Sequence, residues 1–160
     1  YVCGHLAKAG AKLTIADVNL EALAQVARDT GASIVGPSEI YDVAADIFSP
    51  CALGAIINPD TLPRLKAKVI AGGANNQLST PDMGEKVKER GILYAPDYVI
   101  NGGGIINVAA EIAGAYDMAW VDGKVTRLME TLGEVLDQAQ REGKATNRVA
   151  DAIARLRIGR

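Results

Sequence analysis

The chain has 160 residues, of which 49% are hydrophobic and 22% charged, and its net charge is −2. This size and composition are ordinary for one globular domain with a sizeable core. The charge argues against a nucleic-acid surface, because phosphate binding needs clustered lysine and arginine. No apolar stretch reaches the roughly eighteen residues of a membrane span, and we expect a cytoplasmic protein.

The residue pattern of the first 35 positions predicts a helix, a strand, a second helix and a second strand. They lie over residues 1–9, 12–16, 20–29 and 33–35. Gly10 and Gly31 are typical helix ends, and Asn19 is a typical cap for the second helix. Since the chain begins without methionine and inside a helical pattern, we interpret it as a piece whose start lies upstream.

The alternation continues to residue 95. A helical turn is predicted at 37–43 and a short helix at 60–65, with strands beginning at 46 and spanning 68–71 and 92–95. Thr80 is expected to cap a helix over 80–90, with Pro81 as its first helical residue. Short apolar runs alternating with helices predict an α/β fold: a Rossmann-like, doubly wound parallel sheet that lacks its first strand and glycine-rich loop.

The segment 94–111 reads as an apolar strand, then Asn101 and three glycines, then an apolar helix. Because glycine weakens either element, three together suggest that a ligand approaches the backbone there. Loops after Ile57, Ala71 and Ile100 are all expected at the carboxyl ends of strands. Such ends form the ligand site of a parallel sheet, so this placement predicts a nucleotide site.

Beyond residue 121 the pattern is helical, with Gly143 ending one helix and Thr146 capping another. We therefore divide the chain into a partial dinucleotide-binding domain, 1–118, and terminal helices, 119–160. These helices could close the domain or pack on a missing domain, with Tyr116 and Trp120 as anchors.

Asp17 follows the predicted strand at 12–16. An acid at the end of the second strand of a dinucleotide-binding fold accepts hydrogen bonds from the adenosine ribose. The carboxylate would repel a ribose 2′-phosphate, and no arginine follows in residues 17–19, so NAD is favoured over NADP. An exposed helix-capping role is the alternative.

Asn75 and Asn76 follow another predicted strand. Their amides offer both donors and acceptors, which suits the carboxamide and ribose of a nicotinamide, although a turn is the alternative. Cys51 is expected to pack as a small residue rather than act as a nucleophile. Two cysteines and one histidine favour neither a metal site nor a disulfide framework.

Three collinear motifs, at residues 50–55 (PCALGA), 74–78 (ANNQL) and 94–101 (YAPDYVIN), resemble the amino-acid dehydrogenases of the glutamate/leucine/phenylalanine/valine family, and among them the leucine dehydrogenases. The resemblance implies the reversible deamination of an L-amino acid to its 2-oxo acid and ammonia, with hydride passing to NAD. The implied cofactor contacts are Asp17, Val18, Cys51, Ala52, Leu53, Asn75, Asn76 and Asn101.

Ile105 and Val108 match positions that line the family's substrate pocket, and both are aliphatic, as a branched-chain substrate requires. The family's catalytic lysines and aspartate belong to an amino-terminal domain that this sequence lacks. We therefore expect no catalytic residue here, little activity from the chain alone, and a homo-oligomer for the full-length protein. A phenylalanine or other dehydrogenase of the family, or a non-catalytic nucleotide-binding module, is the alternative.

Overall fold

The computed structural model describes residues 2–114 and 116–159. The chain divides into two compact units. One contains Tyr1–Ala44 with Arg64–Lys66, and the other contains Ala45–Pro63 with Ala67–Arg160.

In the first unit, two helices alternate with two parallel strands: α1 (Val2–Lys8), β1 (Thr14–Ile15), α2 (Leu20–Thr30) and β2 (Ser33–Ile34). Thr14 lies opposite Ser33 in the pairing. The prediction that Asn19 caps α2 is confirmed, since its side chain accepts a hydrogen bond from the Ala22 N–H at 3.0 Å. Gly31 ends the helix in the left-handed conformation.

The second unit holds three parallel strands in the order β3 (Ile47–Phe48), β4 (Val69–Ile70) and β5 (Leu93–Tyr94). Its helices are α3 (Met83–Glu89), α4 (Asp97–Ile100), α5 (Gly103–Ile112), α6 (Met118–Glu142) and α7 (Thr146–Arg157). Short 3₁₀ turns also lie at Ile40–Asp42, in the first unit, and at Leu62–Arg64. The predicted α/β class with parallel strands and carboxyl-terminal helices is confirmed.

The prediction of a strand immediately before Asn101 is wrong. Strand β5 ends at Tyr94, and residues 97–100 form the helical turn α4. The buried Pro96 lies between the two elements, and it has no N–H to donate to a strand ladder. Asn101 therefore follows a helix. The prediction of a strand that ends at Ile57 is also wrong, because Ile57 lies outside the strands of the described residues and forms an isolated bridge to Leu78.

Two predicted helix caps are also wrong. Helix α3 begins at Met83, beyond Pro81, and no side chain caps it. Thr146 is the first residue of α7, and its hydroxyl donates to the Tyr94 carbonyl at 2.7 Å. This threonine thus joins α7 to the end of β5, and α7 begins without a side-chain cap. Gly143 ends α6 with a φ of +62°, as expected.

An apolar cluster holds α4, α6 and α7 together. It consists of Val99, Val135, Ala139, Val149 and Ala150, against which Leu132 and Ile153 pack. This packing fixes the end of β5 and the turn that follows it. Over the described residues, no helix is both long enough and apolar enough to cross a membrane.

Candidate functional site

Asp17 is the predicted site residue of the first unit whose side chain can bind a ligand by hydrogen bonds. It is exposed and lies two residues beyond β1. Its Oδ1 accepts a hydrogen bond from the Asn19 N–H at 2.8 Å, which orients the carboxylate at the start of α2. A carboxylate accepts several hydrogen bonds, so this turn leaves capacity for ribose hydroxyls. Its neighbour Val18 is 87% exposed.

In the second unit, Asn75 and Asn101 are brought together. The Asn101 Nδ2 donates to the Gly73 carbonyl at 2.8 Å and to the Asn75 Oδ1 at 2.7 Å. A backbone carbonyl can only accept, so the Gly73 bond fixes which atom of the Asn101 amide is the nitrogen. We call Gly73, Asn75 and Asn101 the amide cluster.

The amide cluster has a defined hydrogen-bonding polarity. Both N–H bonds of Asn101 are engaged, so its Oδ1 is the atom that can accept from a ligand. Because the Oδ1 of Asn75 receives one of these bonds, its Nδ2 is the donor of that side chain. One acceptor and one donor are what a ligand carboxamide requires.

Asn76 contributes its backbone to the same region. Its φ of +53° is left-handed, which is uncommon outside glycine but tolerated by asparagine. Its N–H donates to the Asp97 Oδ2 at 2.7 Å, and its carbonyl accepts from the Ala55 N–H at 2.6 Å. The 72–77 loop is thereby joined to the loop that precedes Ile57.

That preceding loop carries the other predicted cofactor residues, Cys51, Ala52 and Leu53, and all three are exposed. A Cβ added at Gly73 would lie 3.9 Å from the Cys51 Sγ, so this loop borders the amide cluster. The Cys51 thiol lies 3.5 Å from the Ser49 hydroxyl. Over the described residues no group of three or more histidines, cysteines or carboxylates could hold a metal ion.

Sequence reasoning missed Asp97, which is only 6% exposed. Its Oδ1 accepts from the Tyr94 hydroxyl at 2.6 Å, while its Oδ2 accepts from Asn76. Burial raises the pKa of Tyr94, and its hydrogen bond to Asp97 raises it further, so the phenol remains a donor at physiological pH. The sequence did contain one signal for this residue, an acid inside the apolar run 94–100. A carboxylate buried in such a run needs hydrogen-bond partners.

Gln77 was also missed. It is fully buried, and its Nε2 donates to the Gly72 and Ala74 carbonyls at 2.7 and 3.0 Å. These two bonds close the glycine-rich turn from within. The Gln77 side chain therefore fixes the backbone that carries Gly73 and Asn75 of the amide cluster.

Ile105 and Val108 lie on α5, three residues apart and so on one face of the helix. They are 77% and 48% exposed, and no apolar pocket encloses them within the described residues.

The Tyr116 hydroxyl donates to the Asn107 Oδ1 at 2.8 Å, joining the segment before α6 to α5. Trp120 is 44% exposed, with the Lys124 ammonium 5.3 Å from its ring centroid.

Parallel strands, intervening helices and polar loops after the strands define an α/β domain. A family model described as glutamate/leucine/phenylalanine/valine dehydrogenase matches residues 9–157, and the chain belongs to this family of amino-acid dehydrogenases. The predicted resemblance is confirmed.

Two relatives and one crystal structure are similar to nearly the whole chain. It is 49% identical over 158 residues to leucine dehydrogenase from Bacillus cereus, covering 99% of this chain and 43% of that protein. It is 44% identical to L-tryptophan dehydrogenase from Nostoc punctiforme, covering 98% and 44%. A crystal structure of L-tryptophan dehydrogenase from Nostoc punctiforme has a TM-score of 0.94 at 42% identity, covering 99% of this chain and 48% of that one. The chain thus spans less than half the length of these relatives.

Proposed function

We propose that this chain is the cofactor-binding part of an NAD-dependent dehydrogenase that converts a branched-chain L-amino acid to its 2-oxo acid and ammonia. The observation that carries the proposal is the amide cluster, which presents one acceptor and one donor beside a loop with a left-handed asparagine. Membership of the amino-acid dehydrogenase family supports it. When bound, NAD would accept the hydride from the amino-acid α-carbon.

Asn75 and Asn101 would hold the carboxamide end of the cofactor, and Asn76 would contact the nearby ribose. Fit is supported by the polarity of the amide cluster, because a carboxamide has one carbonyl and one NH₂ group to satisfy. Cys51, Ala52 and Leu53 would line the adenosine half. Their exposure leaves room for a planar ligand against backbone and small side chains.

NAD is proposed rather than NADP because of Asp17. Its exposed carboxylate would accept hydrogen bonds from ribose hydroxyls and repel a 2′-phosphate. Replacing Asp17 by Ala should therefore raise the KM for NAD and lower the KM for NADP. A variant that still prefers NAD by the original ratio would contradict this role.

A branched-chain substrate is proposed from Ile105 and Val108, whose aliphatic side chains would contact the substrate side chain. An apolar wall offers no partner to a glutamate carboxylate. The named relatives include a leucine and an L-tryptophan dehydrogenase, so an aromatic substrate, including phenylalanine, is the second candidate.

We propose that residues 1–118 form the dinucleotide-binding part and that helices from 119 onward close it or pack on a further domain. That domain would supply the lysines and aspartate that exchange protons with the substrate amine. The whole protein would be cytoplasmic and homo-oligomeric. Alone, residues 1–160 should bind NAD weakly and turn over no substrate.

The test uses the whole encoded polypeptide that contains this chain. Leucine, valine, isoleucine, phenylalanine, tryptophan and glutamate are each supplied with NAD or NADP, and NADH or NADPH formation is followed by absorbance. Activity confined to the branched-chain substrates with NAD is expected. Activity confined to aromatic substrates would support the second candidate, and dinucleotide binding without turnover of any amino acid would support a binding module.

A further inference from the structure

Asp97 is a buried carboxylate for which the proposed function has no use. It is 6% exposed and lies at the first position of α4, directly after the buried Pro96. A buried ionised group is costly unless strong hydrogen bonds compensate it. Its two oxygens accept hydrogen bonds of 2.6 and 2.7 Å, from the Tyr94 hydroxyl and the Asn76 N–H respectively.

The Tyr94 hydroxyl makes two hydrogen bonds with Asp97, one as donor and one as acceptor. It donates to the Asp97 Oδ1 and accepts from the Asp97 N–H at 3.3 Å. Tyr94 is 2% exposed at the end of β5, so its ring cannot move without disturbing the core. The carboxylate therefore has a fixed position relative to the sheet.

From that position Asp97 acts on the 72–77 loop. Asn76 is exposed, but its N–H is directed inward to the carboxylate. The residue adopts a φ of +53°, a conformation that persists when its surroundings determine it. A charge-assisted bond to the backbone N–H supplies such a determinant.

The hydrogen bonding continues from Asn76 to the loop that precedes Ile57. The Asn76 carbonyl accepts from the N–H of Ala55, which has a φ of +56°. Ala55 and Asn76 are the non-glycine residues with positive φ in the described part of the chain. A Cβ added at Gly54 would lie 2.8 Å from the Asn75 carbonyl, so the two loops are in close contact.

We infer that Asp97 is a positioning residue for the cofactor: through the backbone of Asn76 it fixes the conformation of both loops before the dinucleotide binds. It touches no ligand itself. The inference rests on the proposed function, since these loops carry the proposed cofactor contacts. Preorganised loops lower the ordering cost of binding, so loss of the carboxylate should weaken dinucleotide binding in particular.

The test substitutes Asp97→Leu in the whole encoded polypeptide, because leucine is of similar size and cannot accept a hydrogen bond from the Asn76 N–H. The KM and Kd for NAD should rise about tenfold, as expected for one buried hydrogen bond lost. The KM for the amino acid, measured at saturating NAD, should change by less than about twofold. An unchanged Kd for NAD would overturn the inference.

Asp151→Leu is the matched control. Its carboxylate also accepts a tyrosine hydroxyl, from Tyr98 at 2.8 Å, but it makes no hydrogen bond to either loop. The control should lose some thermal stability and keep its affinity for NAD. Equal losses of NAD affinity in the two variants would show a general effect of stability and overturn the inference.

A second measurement covers the case in which the Asp97→Leu protein does not fold. Amide hydrogen exchange in the unsubstituted protein without ligand should show the Asn76 N–H protected by about a hundredfold or more over a free loop amide. Exchange at the unprotected rate would overturn the inference. Failure of the unsubstituted polypeptide to bind NAD would instead remove the proposed function itself, so the two failures are distinguishable.

Discussion

The loop at 72–77 packs tightly against the rest of its unit, whereas the glycines that open α5 do not. A Cβ added at Gly72 would lie 2.2 Å from the Pro50 carbonyl oxygen and 2.4 Å from the Pro50 nitrogen. A Cβ added at Gly103 or Gly104 would meet no atom within 4 Å. Packing within the chain thus requires glycine at position 72, whereas no described residue requires it at positions 103 and 104.

The two regions also differ in how far their side chains and backbone groups are engaged by the rest of the chain. In the 72–77 loop, Gln77 and the backbone of Asn76 are bonded to buried partners. On α5 the apolar side chains of Ile105, Val108 and Ile112 are 77%, 48% and 80% exposed. The Gln77 Nε2 and the Asn76 N–H thus find their partners within the chain, whereas the apolar side chains of α5 remain largely exposed.

The largest expected effect is that of Gly72→Ala. The added methyl would overlap backbone atoms of Pro50, which cannot move aside cheaply, so we expect a loss of about 3 kcal/mol in the free energy of unfolding. Urea denaturation of the purified chain measures it. The neighbouring Gly73→Ala is the control, because its Cβ would make only an ordinary 3.9 Å contact with the Cys51 Sγ. Equal stability of the two variants would contradict the comparison.

A smaller loss is expected for Gly84→Ala in α3. The new Cβ would lie 2.0 Å from the Asn147 Oδ1, a side-chain atom that can move. Movement would break the Asn147 Nδ2 bond to the Pro81 carbonyl at 2.9 Å, so we expect a loss of about 2 kcal/mol. A double-mutant cycle with Asn147→Ala tests this explanation. The double variant should lose clearly less than the sum of the two single losses, and strict additivity would refute it.

Tyr94→Phe should cost about 1–2 kcal/mol at neutral pH, because it leaves the Asp97 Oδ1 without its hydroxyl donor. Burial raises the pKa of Tyr94 above its ordinary value of 10.0. A raised pKa in the folded state means that the stabilisation is present below pH 10 and is lost as the pH rises beyond it.

Urea denaturation at several pH values between about 8 and 11 checks this prediction. The free energy of unfolding of the unsubstituted chain should fall above about pH 10, and that of Tyr94→Phe should fall less. Part of the slope should remain, because burial also raises the pKa of Tyr98. Identical pH profiles for the two proteins would contradict the assignment to Tyr94.

The smallest effect on stability is expected for Gly103→Ala. Its Cβ meets no atom, and alanine in a helix is favoured over glycine by up to about 1 kcal/mol. The free energy of unfolding should therefore stay unchanged or rise slightly. If a ligand approaches this backbone, the KM values of the whole polypeptide should rise at the same time. Unchanged kinetics would show that the glycine serves no ligand.

Much of the fold could be predicted from local signals. Asn19 and the left-handed Gly31 bound α2 as expected, because a cap and a helix-ending glycine act through neighbouring backbone atoms. The alternation of short apolar runs and helices likewise predicted the parallel α/β class, because each run can be recognised from its own residues. These features depend on a few adjacent residues, which the sequence shows directly.

The sequence by itself determined the family, the order of most elements and the positions of the asparagines and glycines. Tertiary structure alone decided that Thr146 binds the Tyr94 carbonyl instead of capping its own helix, and that Asp97 supports Asn76 across 21 residues of sequence. It also decided that Asn75 and Asn101 share one hydrogen bond. Hydrogen bonds between distant segments depend on which groups folding brings within about 3 Å, and no spacing along the chain encodes that distance.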